Sequence, residues 1–281
     1  MSLEKVNKAI EQLEAINFHQ EYAYEKAILA FLSIKELPII LYDLPLGTIV
    51  FRARTHETNS LFKSVEEVSF PPNNYVNCFA RCNRPFQSKF YCSENRPTSY
   101  MELLENWIET KDFGENFYVS IGRWKLKRSL TTIIVTTPDI ANRISTFDKY
   151  HGEYMDAFLE NCKPEIRKAT TILYRYLFDK FRASAKHDPK TYIITAAYCN
   201  IALTQNIGKA DGIFYPSVQT VAQGINFAIN SDFVKYENME LTHLIRNEIS
   251  INEIYNKKYS FLETDLIAAT KIDMINNVID W

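Results

Sequence analysis

Glycine is scarce in this chain, with seven residues in 281, and no flexible linker, low-complexity tract or internal repeat is apparent. Cysteine is also sparse: five residues, an odd number at irregular spacing, suit a reducing compartment better than a secreted disulfide scaffold and lead us to expect the cytoplasm. Cys78, Cys82 and Cys92 lack the short-spaced Cys or His partners of a tetrahedral zinc set, so no metal is expected. None of the five histidines has a spacing that marks it as a catalytic base. No apolar run is long enough to span a bilayer, and the first residues carry Glu4, Lys5 and Lys8 where a secretory leader would place an apolar core. Charge of either sign is not in excess: a formal net charge of −2 gives no basic field for nucleic acid.

What is present suits a globular chain with a large core, at 46% hydrophobic and 23% charged residues. Apolar residues at helical intervals (Val6, Ile10, Leu13, Ile16, then Ala23, Ala27, Ile28, Phe31) predict two helices before about Glu36. After Pro38, short β-like runs are expected at 48–54, 89–92, 116–121, 131–135, 212–218 and 225–229. Helices are expected after Pro97, from Asp148 to about Ala185 with a break at Pro164, and from Tyr192 to Leu203. This is an α+β pattern: a helical extension over 1–44, a main domain over 45–235, and a C-terminal part, 236–281, packed on the same domain. Within the helix over 171–182, Tyr174, Arg175, Tyr176, Lys180 and Arg182 could suggest nucleic acid. The spacing of Leu173, Leu177 and Phe181 reads instead as an ordinary amphipathic stripe.

Four segments could carry chemistry. In Phe51-Arg52-Ala53-Arg54, strand alternation sends both arginines to one face, where they could grip a diphosphate or simply face solvent at a strand edge. In Arg81-Cys82-Asn83-Arg84 and the strand carrying Tyr91, clustered donors precede an aromatic that could stack on a heterocycle or sit in the core. Glu102 lies near the start of a helix. Ser99 and Glu102 have capping-box spacing, Glu105 and Glu109 share the Glu102 side, and Met101, Leu104 and Ile108 form the apolar stripe. A carboxylate there could also stabilise positive charge on a sugar carbon. Last comes Asp211-Gly212-Ile213-Phe214-Tyr215-Pro216-Ser217-Val218, a turn and apolar strand in which Gly212 is expected to take a backbone conformation closed to other residues. Ser217 lacks the Gly-x-Ser-x-Gly setting of a nucleophile and is expected to bond a ligand or orient another side chain.

Taken in order, Phe51 to Arg54, Arg81 to Asn83 with Phe90-Tyr91-Cys92-Ser93, Pro97 to Glu102, and Asp211 to Val218 followed by Gly224-Ile225-Asn226 resemble the RES-domain family. The likeness runs over roughly 45–230, with Gln219 standing where the family often has arginine. It implies an ADP-ribosyltransferase-like mixed sheet flanked by helices and an enzyme that cleaves NAD, by phosphorolysis or hydrolysis. NAD is then a substrate, with no permanently bound cofactor. The resemblance assigns Glu102, Arg52 and Ser217 to catalysis and Arg52, Arg54, Arg81, Asn83, Tyr91, Tyr215 and Ser217 to NAD binding. It also implies the toxin of a toxin–antitoxin pair with a small DNA-binding antitoxin; charge and hydropathy, separately, lead us to expect no direct contact with nucleic acid or membrane. A protein ADP-ribosyltransferase, a non-catalytic NAD or ADP-ribose binding module, and a homo-oligomer stay open.

Overall fold

The structure, a computed structural model, describes residues 1–56, 59–110, 116–184, 188–206, 208–217, 224–255 and 258–281. For 104–110, 116, 251–255 and 258–261 it describes the backbone alone, so the expectations for Leu104, Glu105, Ile108 and Glu109 fall outside the described side chains. Val218 and Gln219 lie outside the described residues altogether.

Along the chain come α1 (Leu3–Glu14), α2 (Ala23–Ser33), β1 (Leu41–Leu44), β2 (Ile49–His56), α3 (Val65–Val68), β3 (Lys89–Ser93) and α4 (Arg96–Thr110). There follow β4 (Asn116–Leu126), β5 (Leu130–Ile134), α5 (Thr146–Glu160), α6 (Pro164–Arg182), α7 (Lys190–Gln205), β6 (Gly212–Pro216) and β7 (Ile225–Asn230). The long pair β8 (Met239–Tyr255) and β9 (Lys258–Ala268) and the short pair β10 (Lys271–Asp273) and β11 (Val278–Asp280) complete it. The chain is α+β with helices at its N-terminus, as its periodicity indicates. The break at Pro164 falls where proline is tolerated, at the first position of α6. Leu173, Leu177 and Phe181 of α6 are buried, while Arg175 pairs with Asp139, Lys180 pairs with Glu14 and Arg182 lies over the Phe178 ring, so these basic residues have partners within the fold.

The main sheet has the order β1-β5-β6-β7-β3-β2-β4-β8-β9, antiparallel throughout except for the parallel pair β5 and β6. Its central strands alternate cleanly between two cores. Ile133, Ile213, Tyr215 and Ala228 face α1, α2, α6 and α7. Their chain neighbours Ile134, Phe214, Phe227 and Ile229 face the opposite way, with Val50, Phe90, Trp124 and the α5 residues Phe147 and Met155. A third cluster joins Tyr100 of α4 to Phe117, Val119 and Ile121 of β4 and Ile249 of β8.

Two local expectations are corrected. Gly212 does not occupy the left-handed region; it lies in the strand, and a Cβ there would stand 3.2 Å from the Ala228 carbonyl oxygen. Its lack of a side chain answers a close backbone approach between β6 and β7. The Ser99–Glu102 capping box is absent: Asn95 Oδ1 accepts from the Thr98 backbone N–H at 2.8 Å, so the cap stands four residues earlier. Ser99 instead donates to the Phe51 carbonyl at 2.9 Å, tying α4 to β2.

Candidate active site

Strands β2 and β3 are in register at Phe51 and Ser93. Beyond that point β2 continues beside β4, and β3 runs beside β7. A cleft of about 450 Å³ opens at this division, within the range of small-molecule sites. Its walls include Phe51 to Thr55 of β2, Tyr91 to Ser93 of β3, Glu102 and Leu103 of α4, Arg81, Tyr192, Tyr215 and Asn226.

The register carries one row of residues across four strands. Phe51 faces Ser93, Ser93 faces Asn226, and Asn226 faces Tyr215. Only two residues separate Ser93 from the first turn of α4, so Glu102 is delivered to the same row. Ser217 follows β6, where its backbone N–H donates to the Gly224 carbonyl at 2.8 Å. The Ser217 hydroxyl then donates to Glu102 Oε1 at 2.5 Å, and Asn226 Nδ2 donates to the same oxygen at 2.7 Å. Both donors converge on Oε1, and no donor among the described residues engages Oε2. Ser217 is fully buried behind Glu102 and does not line the cleft, so its hydroxyl orients the carboxylate.

The arginines are placed differently. Arg52 and Arg54 leave β2 on the Val50 face, opposite to Phe51, and both reach the carbonyl end of the short helix α3. Arg52 Nε donates to the Ser69 carbonyl at 2.9 Å and Nη1 to the Tyr91 carbonyl at 2.7 Å, with the guanidinium 5.3 Å over the Phe90 ring. Arg54 donates to the Glu67 carbonyl and lies over Phe62. Arg81 closes the carbonyl end of α6: its Nη1 donates to Phe181 at 2.7 Å and Lys180 at 3.2 Å, and Nη2 donates to Ala183 at 3.2 Å. Terminal carbonyls of a helix lack intrahelical partners and carry negative partial charge, which suits a guanidinium. All three arginines therefore tie the fold together while also lining the cleft, and each retains further N–H donors from its set of five. Burial pushes Arg52 down to about 10, which still leaves it cationic at neutral pH.

Tyr91 offers its ring to the cleft, but its hydroxyl is committed: it donates to Asn83 Oδ1 at 2.7 Å and accepts from the Cys82 backbone N–H at 2.9 Å. Asn83 is buried behind Tyr91 and does not line the cleft. Burial keeps the Tyr91 and Tyr215 phenols protonated, well above their ordinary range. Among the described residues, no group of three His, Cys, Asp or Glu side chains could hold a metal, and no helix is long and apolar enough to cross a membrane.

Residues 49–244 match the RES domain, about seven-tenths of the chain and all of the cleft walls. The chain belongs to the RES-domain family. A search of curated proteins finds no match. The RES-domain match begins at β2 and ends in β8, and so includes Arg52, Arg81, Tyr91, Glu102 and Ser217 together.

Sequence reasoning overlooked three contributors to this RES-domain cleft. Asn226 and Ser93 lie inside segments that carry the resemblance, but their polar atoms become informative only once the β3–β7 register is known. Tyr192 of α7, whose ring lies 5.3 Å from the Arg81 guanidinium, had no signal in the sequence.

Proposed function

We propose that this RES-domain protein consumes NAD by breaking the bond between nicotinamide and ribose, with phosphate or water as the acceptor. The observation that carries this reading is the Glu102 carboxylate, held through one oxygen by Ser217 and Asn226 at the wall of a cleft that also contains guanidiniums and the Tyr91 ring. Nicotinamide leaves as a neutral group with the bonding electron pair, so no general acid has to protonate it. Positive charge gathers at the ribose C1 and ring oxygen, and a nearby carboxylate stabilises it. The acceptor oxygen then bonds to C1. Phosphate gives ADP-ribose 1-phosphate; water gives ADP-ribose and releases a proton to solvent.

In this reading Glu102 is the reacting carboxylate and Ser217 its positioning donor. Arg52, Arg54 and Arg81 offer their remaining N–H groups to the diphosphate, and Tyr91 and Tyr215 border the nicotinamide-ribose end. Asn83 acts through Tyr91. The split sheet serves as the cleft of an ADP-ribosyltransferase-like fold. The family resemblance adds the toxin role and an antitoxin partner that would cover the cleft.

The test is nicotinamide release from NAD by the purified protein and by Glu102→Gln, with and without inorganic phosphate, all products being followed by mass. Release by the wild type, abolished in the variant, is expected, and the product mass identifies the acceptor. Intact NAD bound without nicotinamide release would overturn the enzyme reading in favour of a binding module. ADP-ribose appearing on added protein would move it to a transferase.

A further inference from the structure

The paired residues Ser93 and Asn226 form a second support behind Glu102. They face each other across β3 and β7, and both are nearly inaccessible, 3% and 4% exposed. The Ser93 hydroxyl donates to Asn226 Oδ1 at 2.7 Å, and Asn226 Nδ2 donates to Glu102 Oε1 at 2.7 Å. An amide can turn over and exchange its oxygen for its nitrogen, and here the turned form would point a carbonyl at the carboxylate. The Glu102 carboxylate, which can only accept, selects against that form, and the Ser93 hydroxyl anchors the amide from its carbonyl side. Glu102 stands on α4, an element separate from the sheet that carries both donors, so its side chain depends on them for a single position relative to the row Phe51, Ser93, Asn226, Tyr215.

We propose that Asn226, held in place by Ser93, is a positioning residue for the reaction: it holds Oε1 of Glu102 so that Oε2 is the oxygen presented to the sugar cation. The inference rests on Glu102 being the reacting carboxylate. It extends that reading to a pair to which the family resemblance gives no role. Ser217, just past β6, and Asn226 of β7 approach one oxygen, and two donors fix a carboxylate plane where one leaves it free to rotate. Misplacing a reacting group by about 1 Å costs on the order of 10²-fold in rate.

Nicotinamide release is measured for the wild type, Asn226→Ala, Asn226→Asp, Ser93→Ala and Ser93→Thr across the pH range. Asn226→Ala should lower kcat about 10²-fold with KM nearly unchanged. Asn226→Asp should move the acid limb of the rate profile upward by about one pH unit, because two carboxylates at hydrogen-bond distance share a proton. Ser93→Ala should fall between wild type and Asn226→Ala, with rescue by Ser93→Thr, which keeps the hydroxyl. An unshifted profile for Asn226→Asp together with kcat within about threefold for Asn226→Ala, in proteins that melt like the wild type, would overturn the inference while leaving the enzyme reading intact. Should the wild type release no nicotinamide, the enzyme reading fails by itself. Crystal structures of Asn226→Ala and Ser93→Ala then decide the inference without turnover: a Glu102 side chain in several rotamers supports it, and one unchanged position in both sinks it.

Discussion

The hydroxyl of Ser217 stands 2.5 Å from Oε1 of Glu102, although the two residues are 115 positions apart and belong to a strand exit and a helix. Burial, and not the hydrogen bond, argues against a nucleophile: the serine is closed to the cleft, with the carboxylate between it and any ligand. Ser217→Ala should therefore reduce kcat by about 10- to 100-fold while leaving NAD affinity within a few-fold of wild type. Steady-state nicotinamide release beside calorimetric NAD titration checks both halves, and covalent labelling at Ser217 during turnover would contradict the assignment.

Glu102→Gln keeps size and one hydrogen-bond acceptor but removes the charge. The expected loss in kcat is about 10²- to 10³-fold, the scale for deleting one group that stabilises transition-state charge. NAD binding should persist, because the carboxylate contributes mainly once positive charge has developed. Equal loss of binding and turnover would assign Glu102 to the ground state.

Arg81→Ala should unfold more readily than the wild type as well as bind NAD more weakly. The guanidinium satisfies carbonyls of Lys180, Phe181 and Ala183 at the end of α6, and hydrogen bonds from a charged donor contribute about 1.5–3 kcal/mol. Urea denaturation measures that loss directly. A stability equal to wild type would make Arg81 purely a ligand residue.

Gly212→Ala is expected to destabilise by about 1–3 kcal/mol through crowding, since the added carbon meets the Ala228 carbonyl oxygen at 3.2 Å. Gly208→Ala costs stability for a different reason, a φ of +73° with open space around it, and so Gly208→Asn should recover part of the loss. Gly212→Asn should be worse than Gly212→Ala. Denaturation midpoints of the four variants separate crowding from conformation.

Acid should weaken the fold through His151. Burial among Tyr42, Phe147 and Phe214 pushes its imidazole down to about 4, and its Nδ1 has no hydrogen-bond partner among the described residues. The unfolded chain takes up a proton near 6.5 and the folded chain only near 4. Its contribution is thus complete above about 6.5 and is lost as pH falls toward 4, amounting to about 2 kcal/mol by pH 5. His56 is also pushed down to about 4, first by burial and then by Arg246 and Arg54, and adds to the same window. His151→Phe, an apolar ring in an aromatic cluster, should remove its share of the dependence. Urea midpoints from about pH 7.5 to 5 test this, and parallel curves for variant and wild type would refute it.

Legibility in the sequence followed the range of the interactions concerned. Helical spacing of Val6, Leu13, Ala27 and Phe31 is a local property, and α1 and α2 appear where it places them. The ends of β2, β3, β5 and β7 fall within a residue or two of the expected runs because their apolar alternation and flanking turns are local too. Strands β1, β8, β9, β10 and β11 lie outside the expected runs. Leu41–Leu44 is too short to show a period, and β8 and β9 mix polar and apolar residues along a two-strand extension. At the site, Glu102 and Ser217 stood out through their surrounding motifs, whereas the Ser93–Asn226 contact depends on register, which a single-residue slip would invert. The anchoring of Arg52 and Arg81 on helix carbonyls was also hidden, because nothing in either segment names Ser69 or Phe181 as its partner.

That anchoring bears on how lineages of this chain would drift. A descendant that gave up turnover would be released from selection on Glu102, yet loss of Arg52 or Arg81 would still strand the carbonyls of Ser69 and Phe181. On the proposed reading the arginines would outlive the activity as scaffold, and persistence of the glutamate would mark a working member.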